Sequence, residues 1–92
     1  MNTPSQQILR LAFGFAVAQS LRVAAELGIA DLLAKGERSA DELSQATHTN
    51  ADALYRVMRL LASEGVFREV SPRRFAQTGR WRHAHLRGRG VR

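Results

Sequence analysis

The apolar positions in the first third of the chain do not settle on one side of a helix. Ile8, Leu11 and Phe15 recur at helical spacing, and Leu9, Phe13 and Val17 do the same on a different face. From Leu11 to Leu33 only Arg22, Glu26 and Asp31 carry charge. Pro4 suits a first helical turn, with Thr3 as its cap. A helix that is apolar nearly all round from Ile8 to Ala18 needs cover on more than one side. It is either the central core helix of the domain or a dimerisation helix, seated on its own domain along one stripe and on a partner along another.

The pattern then becomes orderly. LRVAAEL and IADLLAK read as two short helices, stopped by Gly28 and Gly36. Their inward positions are Leu21, Ala24, Ala25 and Leu27, then Ile29, Leu32 and Leu33. Ser39 with Glu42 three residues on is the spacing of a capping box, which predicts a helix with Leu43 and Ala46 buried. THTN is a turn, and Asn50 or Thr49 caps the next helix. That helix carries an i, i+3, i+4, i+7 stripe of Leu54, Val57, Met58 and Leu61, and Gly65 ends it in a left-handed conformation.

Beyond Gly65 the period changes from helical to alternating. VFREV predicts a short strand, SPRR a turn and RFAQT a second strand with Phe75 inward. A capped helix, a turn, a longer helix and a hairpin form the order of a winged helix-turn-helix. The expected fold is therefore mainly α: a winged helix-turn-helix with extra N-terminal dimerisation helices and a small C-terminal β-hairpin. Residues 1–78 form that domain, and residues 79–92 a basic, flexible tail.

Composition sharpens this picture at a few points. Ninety-two residues make one small domain with limited capacity to bury a core. The absence of cysteine excludes disulfides and thiolate metal sites, and it fits a reducing compartment. The opening MNTPSQQILR lacks the positive start of a secretory signal, and the uncharged run Leu11 to Ala18 is shorter than a membrane span needs. The expectation is a cytoplasmic protein with no membrane partner. The net charge of +6 misleads until it is located. All eight acids and nine of the fourteen basic residues precede Gly79, so the body is close to neutral and the excess lies in GRWRHAHLRGRGVR. A fold that bound phosphates through its body would carry the excess on one of its faces.

The run VAAELGIADLLAKGERSADELSQATHTNADALYRVMRLLASEGVFREV resembles the N-terminal dimerisation domain of S-adenosylmethionine-dependent (SAM-dependent) small-molecule O-methyltransferases, of the plant caffeic-acid and bacterial hydroxyneurosporene types. The matching pieces are A-x-E-L-G-I-A-D-L-L, S-A-D-E-L, L-Y-R-V-M-R-L-L-A and G-V-F, in order. The resemblance implies a winged-helix-like module turned dimer interface, in which the apolar first helices of two subunits interlock. The homodimer contacts would then include Ile8, Leu11, Phe13, Phe15, Val17 and Leu21. In that family a separate Rossmann-like domain follows, with the S-adenosylmethionine loop, a catalytic histidine and a pocket for a small hydroxylated metabolite. These 92 residues hold no strand followed by G-x-G-x-G, and GRG at 88–90 follows no strand. The resemblance therefore implies no cofactor and no catalytic activity in this chain alone. It implies either a stand-alone module with a basic extension or a truncated or frameshifted methyltransferase.

Other candidate chemistry is thin. His83 and His85 lack a third ligand, and His48 falls in a turn. Ser39, Ser44, Thr47 and Thr49 read as caps and turn residues, and Asp41 and Glu42 as complements to a helix dipole. The rival reading is a small dimeric winged-helix regulator that binds DNA. Its contacts would be Arg56 and Arg59 on the second helix of the motif, where Asp52, Tyr55 and Ser63 also face solvent, and Arg73 and Arg74 on the wing. Trp81 among the tail arginines would offer a non-specific surface for RNA or an acidic partner.

Overall fold

A computed structural model describes residues 4–81. The elements run α1 (Pro4–Leu27), α2 (Ile29–Ala34), β1 (Arg38–Ser39), α3 (Ala40–Thr47), α4 (Ala51–Ser63), β2 (Phe67–Ser71) and β3 (Arg74–Gln77). The chain is mainly helical, with one small antiparallel sheet.

The first helix departs from the expected pattern. LRVAAEL is not a separate helix but the last part of α1, which runs unbroken for 24 residues. Nothing between Ser5 and Leu27 stops it: no proline intervenes, and Gly14 alone is tolerated in mid-helix at a cost of about 1 kcal/mol. The stop comes at Gly28, whose φ of 71° is left-handed and open to glycine at no steric cost. Continuous, the helix from Ser5 to Leu27 is long and apolar enough to cross a membrane by length and composition alone. Counting only the run from Leu11 to Ala18 missed this. Thr3 as a cap lies outside the described residues.

The next two helices begin where their caps are written. Ser39 Oγ accepts the backbone N–H of Glu42 at 3.0 Å, and Glu42 Oε1 accepts the backbone N–H of Ser39 at 2.8 Å. This reciprocal pair satisfies donors that a helix start would otherwise leave orphaned. Asn50, rather than Thr49, caps α4 by accepting from the N–H of Ala53 at 2.8 Å. His48 ends α3 in the left-handed region at φ 58°, a conformation in which histidine is enriched among non-glycine residues. Inside α3 the buried residues are Ala40, Leu43 and Ser44, where Leu43 and Ala46 were expected; Ala46 is exposed. Ser44 is tolerated inside because its hydroxyl donates to the carbonyl of Asp41.

The hairpin is part of a larger sheet. The strand order is β1-β3-β2, with β3 in the centre and antiparallel to both neighbours. The two residues of β1 pair across Arg38 with Phe75 and Ser39 with Arg74. A strand this short shows no alternation to read, so the sequence pattern missed it. An irregularity between Glu69 and Ser71 bends β2 near the turn.

The core lies between α2, α3, α4 and the sheet. Ile29, Leu43, Met58, Leu61, Phe67 and Phe75 are its largest fully buried side chains. Leu54, Met58 and Leu61 of the predicted stripe are buried, and Val57 packs beside them half-buried. Helix α1 joins this core by its C-terminal part, where Ala24 is fully buried and Leu21 and Leu27 pack half-buried against it. Past β3, the Trp81 ring stacks on Phe67 with centroids 5.4 Å apart, so packing on the body extends beyond residue 78.

Candidate functional site: an uncovered helix

Two places held candidate functional residues, and the structure treats them oppositely. The first is the N-terminal part of α1. Every residue from Ser5 to Ala16 is exposed. Leu11 is 75% exposed, Phe15 68% and Phe13 48%, and Ile8 and Leu9 are similarly bare. Val17 and Leu21 are half-buried. So the six expected interface residues share one helix but not one environment. Ile8, Leu11, Phe13 and Phe15 stand clear of the body, while Val17 and Leu21 sit where the helix meets it.

The arrangement follows from helical periodicity. Leu9, Phe13 and Val17 lead, turn by turn, into Ser20, Ala24 and Leu27, the face that seats on the body. Ile8, Leu11 and Phe15 lead into Ala18, Gln19 and Arg22, the face that looks outward. The body ends beneath Val17. Before that point both faces are apolar and neither is covered by this chain. The central core reading of this helix therefore fails for its first half.

The second place is the proposed DNA surface. Arg56 and Arg59 are exposed on α4. Arg73 and Arg74 are not free. Arg73 lies 3.2 Å from Asp41 and 3.7 Å from Asp52, and its guanidinium sits 4.5 Å from the centre of the Tyr55 ring. Arg74 lies 3.8 Å from Glu37 and 3.7 Å from Glu42. Acids of α3, α4 and the loop before β1 thus occupy the arginines that a phosphate would need.

Tyr55, expected to face solvent, is half-buried and donates its hydroxyl to Glu69 at 2.9 Å. Its ring also packs on Phe75, 6.0 Å between centroids. Glu69 accepts the backbone N–H of Arg73 at 2.9 Å, and this bond above all holds its carboxyl below the ordinary range, helped by the Tyr55 hydroxyl. The bond to Glu69 pushes the Tyr55 hydroxyl up in turn. Glu42 is held low chiefly by the backbone N–H of Ser39. These groups tie the hairpin turn to α3 and α4. Helical spacing placed Tyr55 outward, and only the strand folding back over α4 covers it.

No group of three or more His, Asp or Glu side chains that could hold a metal occurs among the described residues. His48 is exposed; His83 and His85 lie outside the described residues.

Fold and surface together define a small helical module whose one exceptional feature is an apolar helix that its own body leaves uncovered. The chain belongs to the O-methyltransferase dimerisation domain family, whose model matches residues 9–86. Phenazine O-methyltransferase PhzM of Lysobacter antibioticus is 46% identical over 74 residues, which are 80% of this chain and 22% of the relative. Flavonoid 7-O-methyltransferase 1B of Mentha piperita is 42% identical over 77 residues, 75% of this chain and 22% of the relative. Among solved structures, CalO1, a methyltransferase in calicheamicin biosynthesis in its SAH-bound form, superposes with a TM-score of 0.72 at 47% identity, over 87% of this chain and 25% of that one. The chain thus spans about a fifth of the length of the curated relatives it matches.

Proposed function

We propose that this chain is the homodimerisation module of an O-methyltransferase-type protein and performs no methyl transfer itself. The observation that carries the reading is the bare first half of α1, apolar on opposite faces. Ile8, Leu11, Phe13 and Phe15 are the contacts made wholly with the second copy, and Val17 and Leu21 border them. Exposed apolar surface of this extent marks an interaction site, and the related family is defined by self-association. Dimerisation also answers the membrane-like length of α1, because a second copy removes the same surface from water. The α3–turn–α4 unit with its hairpin serves, on this reading, as a winged-helix-like platform that holds the helix in place.

The partners would be a second copy of the chain and, within a full-length protein, S-adenosylmethionine and a small hydroxylated metabolite in a following domain. The cysteine-free composition fits work in the cytoplasm. The DNA-binding alternative draws no support from the wing, where Arg73 and Arg74 already face acids.

Light scattering after size-exclusion chromatography tests the proposal. The expected mass is twice the 10.2 kDa of one chain, falling towards one chain only on strong dilution. A folded species of single-chain mass at every concentration overturns it.

A further inference from the structure

The arginines around the sheet differ in what they face. Arg73 and Arg74 each lie against two carboxylates. Arg59, Arg68 and Arg80 are exposed and form no ion pair among the described residues. These three border one groove between the C-terminal half of α4 and the start of β2. Its volume is about 570 Å³, with Arg59 and Ser63 on one side and Phe67, Arg68 and Glu69 on the other. Arg80 closes one end, where its guanidinium lies 3.0 Å from the place a β-carbon on Gly65 would take. Glu69, the acid in the lining, is already engaged by the Tyr55 hydroxyl and the backbone N–H of Arg73. The groove is left with unanswered positive charge.

Its wall on the β2 side is the rim of the sheet. Strand β2 is an outer strand, with no further strand beyond it among the described residues. Successive side chains of a strand point to opposite faces, so three consecutive residues line one groove where it runs along the strand's edge. Every second residue of such an edge turns its N–H and C=O away from the neighbouring strand. The irregularity between Glu69 and Ser71 confines the regular edge to Phe67, Arg68 and Glu69. Buried Phe67 and Tyr55-bonded Glu69 point towards α4, and exposed Arg68 points to the other face. A strand added here would turn its side chains alternately to a face served by Arg59 and a face served by Arg68.

A single charge on an edge strand also keeps stray strands away. Here three cations gather, and against an acidic strand they attract. The chain's own residues after Trp81 carry arginines and no acid, so their charge opposes entry. We propose that the groove takes an extended acidic peptide of another protein as a fourth strand beside β2, its carboxylates held on the two faces by Arg59 and Arg68 and at one end by Arg80. No residue of α1 takes part, so the site stands apart from the dimer reading.

Fluorescence anisotropy with the full chain tests the site. The probe is a labelled peptide of about nine residues with the repeat Val-Glu-Glu, which puts carboxylates on both faces of a strand, in about 150 mM salt. A second probe has the same side chains with N-methyl groups on alternate backbone nitrogens, which removes donors that strand pairing needs. Arg59→Gln together with Arg68→Gln is expected to weaken the first probe about tenfold or more, and Arg56→Gln, on α4 outside the groove, to change it less than about twofold. The methylated probe is expected to bind the unsubstituted chain about tenfold more weakly than the first. All three substituted positions are exposed, and circular dichroism confirms that each variant keeps its helix content. Absence of binding at about 1 mM peptide overturns the proposed site. So does equal binding by the double variant, which would place the probe on the basic residues after Trp81, and so does equal binding of the two probes. An oligothymidylate of equal charge that binds more tightly than the peptide and is lost in the double variant also overturns it, making the groove a nucleic-acid site instead.

Discussion

Helices α1 and α4 are built from similar apolar residues and end up in opposite situations. Helix α4 has one stripe, and Leu54, Met58 and Leu61 put it inside. Helix α1 has two opposed faces over its first half, and the chain buries neither. The difference is one of supply. A small domain has enough apolar surface to cover one side of several helices, but not both sides of one. The number of apolar faces on a helix therefore counts the bodies it must touch.

The comparison can be broken most forcefully in the body. Phe75→Ala removes a ring that is fully buried in the central strand and packed on Tyr55. A loss of about 3–5 kcal/mol is expected, read from urea denaturation, which for a domain this small amounts to unfolding. The matching change in the arm, Phe15→Ala, is expected to leave the stability of the single chain within about 0.5 kcal/mol while weakening dimerisation by about 1–3 kcal/mol. If Phe15→Ala unfolds the isolated chain as Phe75→Ala does, the two regions do not differ as argued.

Smaller effects sharpen the contrast. Asn50→Ala removes the cap of α4 and is expected to cost about 1 kcal/mol in thermal or urea unfolding, with the dimer constant unchanged once folding is allowed for. Acid acts on the body alone. Glu42 and Glu69 are held below their ordinary values when folded. Their contribution is thus complete above the unfolded carboxylate range, near about 4.3, and is lost as pH falls through the lower folded values. A urea midpoint that declines only below that range, and less steeply in Glu69→Gln, is the expected profile. Tyr55, raised by its bond to Glu69, works the other way: its contribution is present below about 10 and lost as pH climbs through its higher folded value. The arm between Ser5 and Ser20 carries Arg10 as its only charged side chain, so apolar association there is expected to be nearly flat between pH 5 and pH 9.

Much of the fold was legible because its signals are local. Ser39 with Glu42, Asn50 before Ala53, and Gly28 after Leu27 each join groups three or four residues apart or set one backbone angle. Such spacings are visible in the letters. The bare face of α1 was legible for a related reason: two apolar repeats on one helix announce more surface than one neighbour can take. The joining of LRVAAEL to α1 was not. A helix with no stop signal simply continues, and the change of partner near Val17 looked like a change of element.

What the sequence determined by itself was the order of α2, α3, α4 and the two hairpin strands, the Ser39–Glu42 cap and the excess of apolar surface at the N-terminus, since each depends on residues within a turn or two of one another. The tertiary structure alone decided that Arg38–Ser39 joins the sheet, that Tyr55 is covered by Glu69 and Arg73, and that Arg73 and Arg74 face acids instead of open solvent. Those outcomes require segments far apart in the chain to meet. Their energies come from hydrogen bonds and charges that exist only after chain closure, and no spacing along the sequence records them in advance.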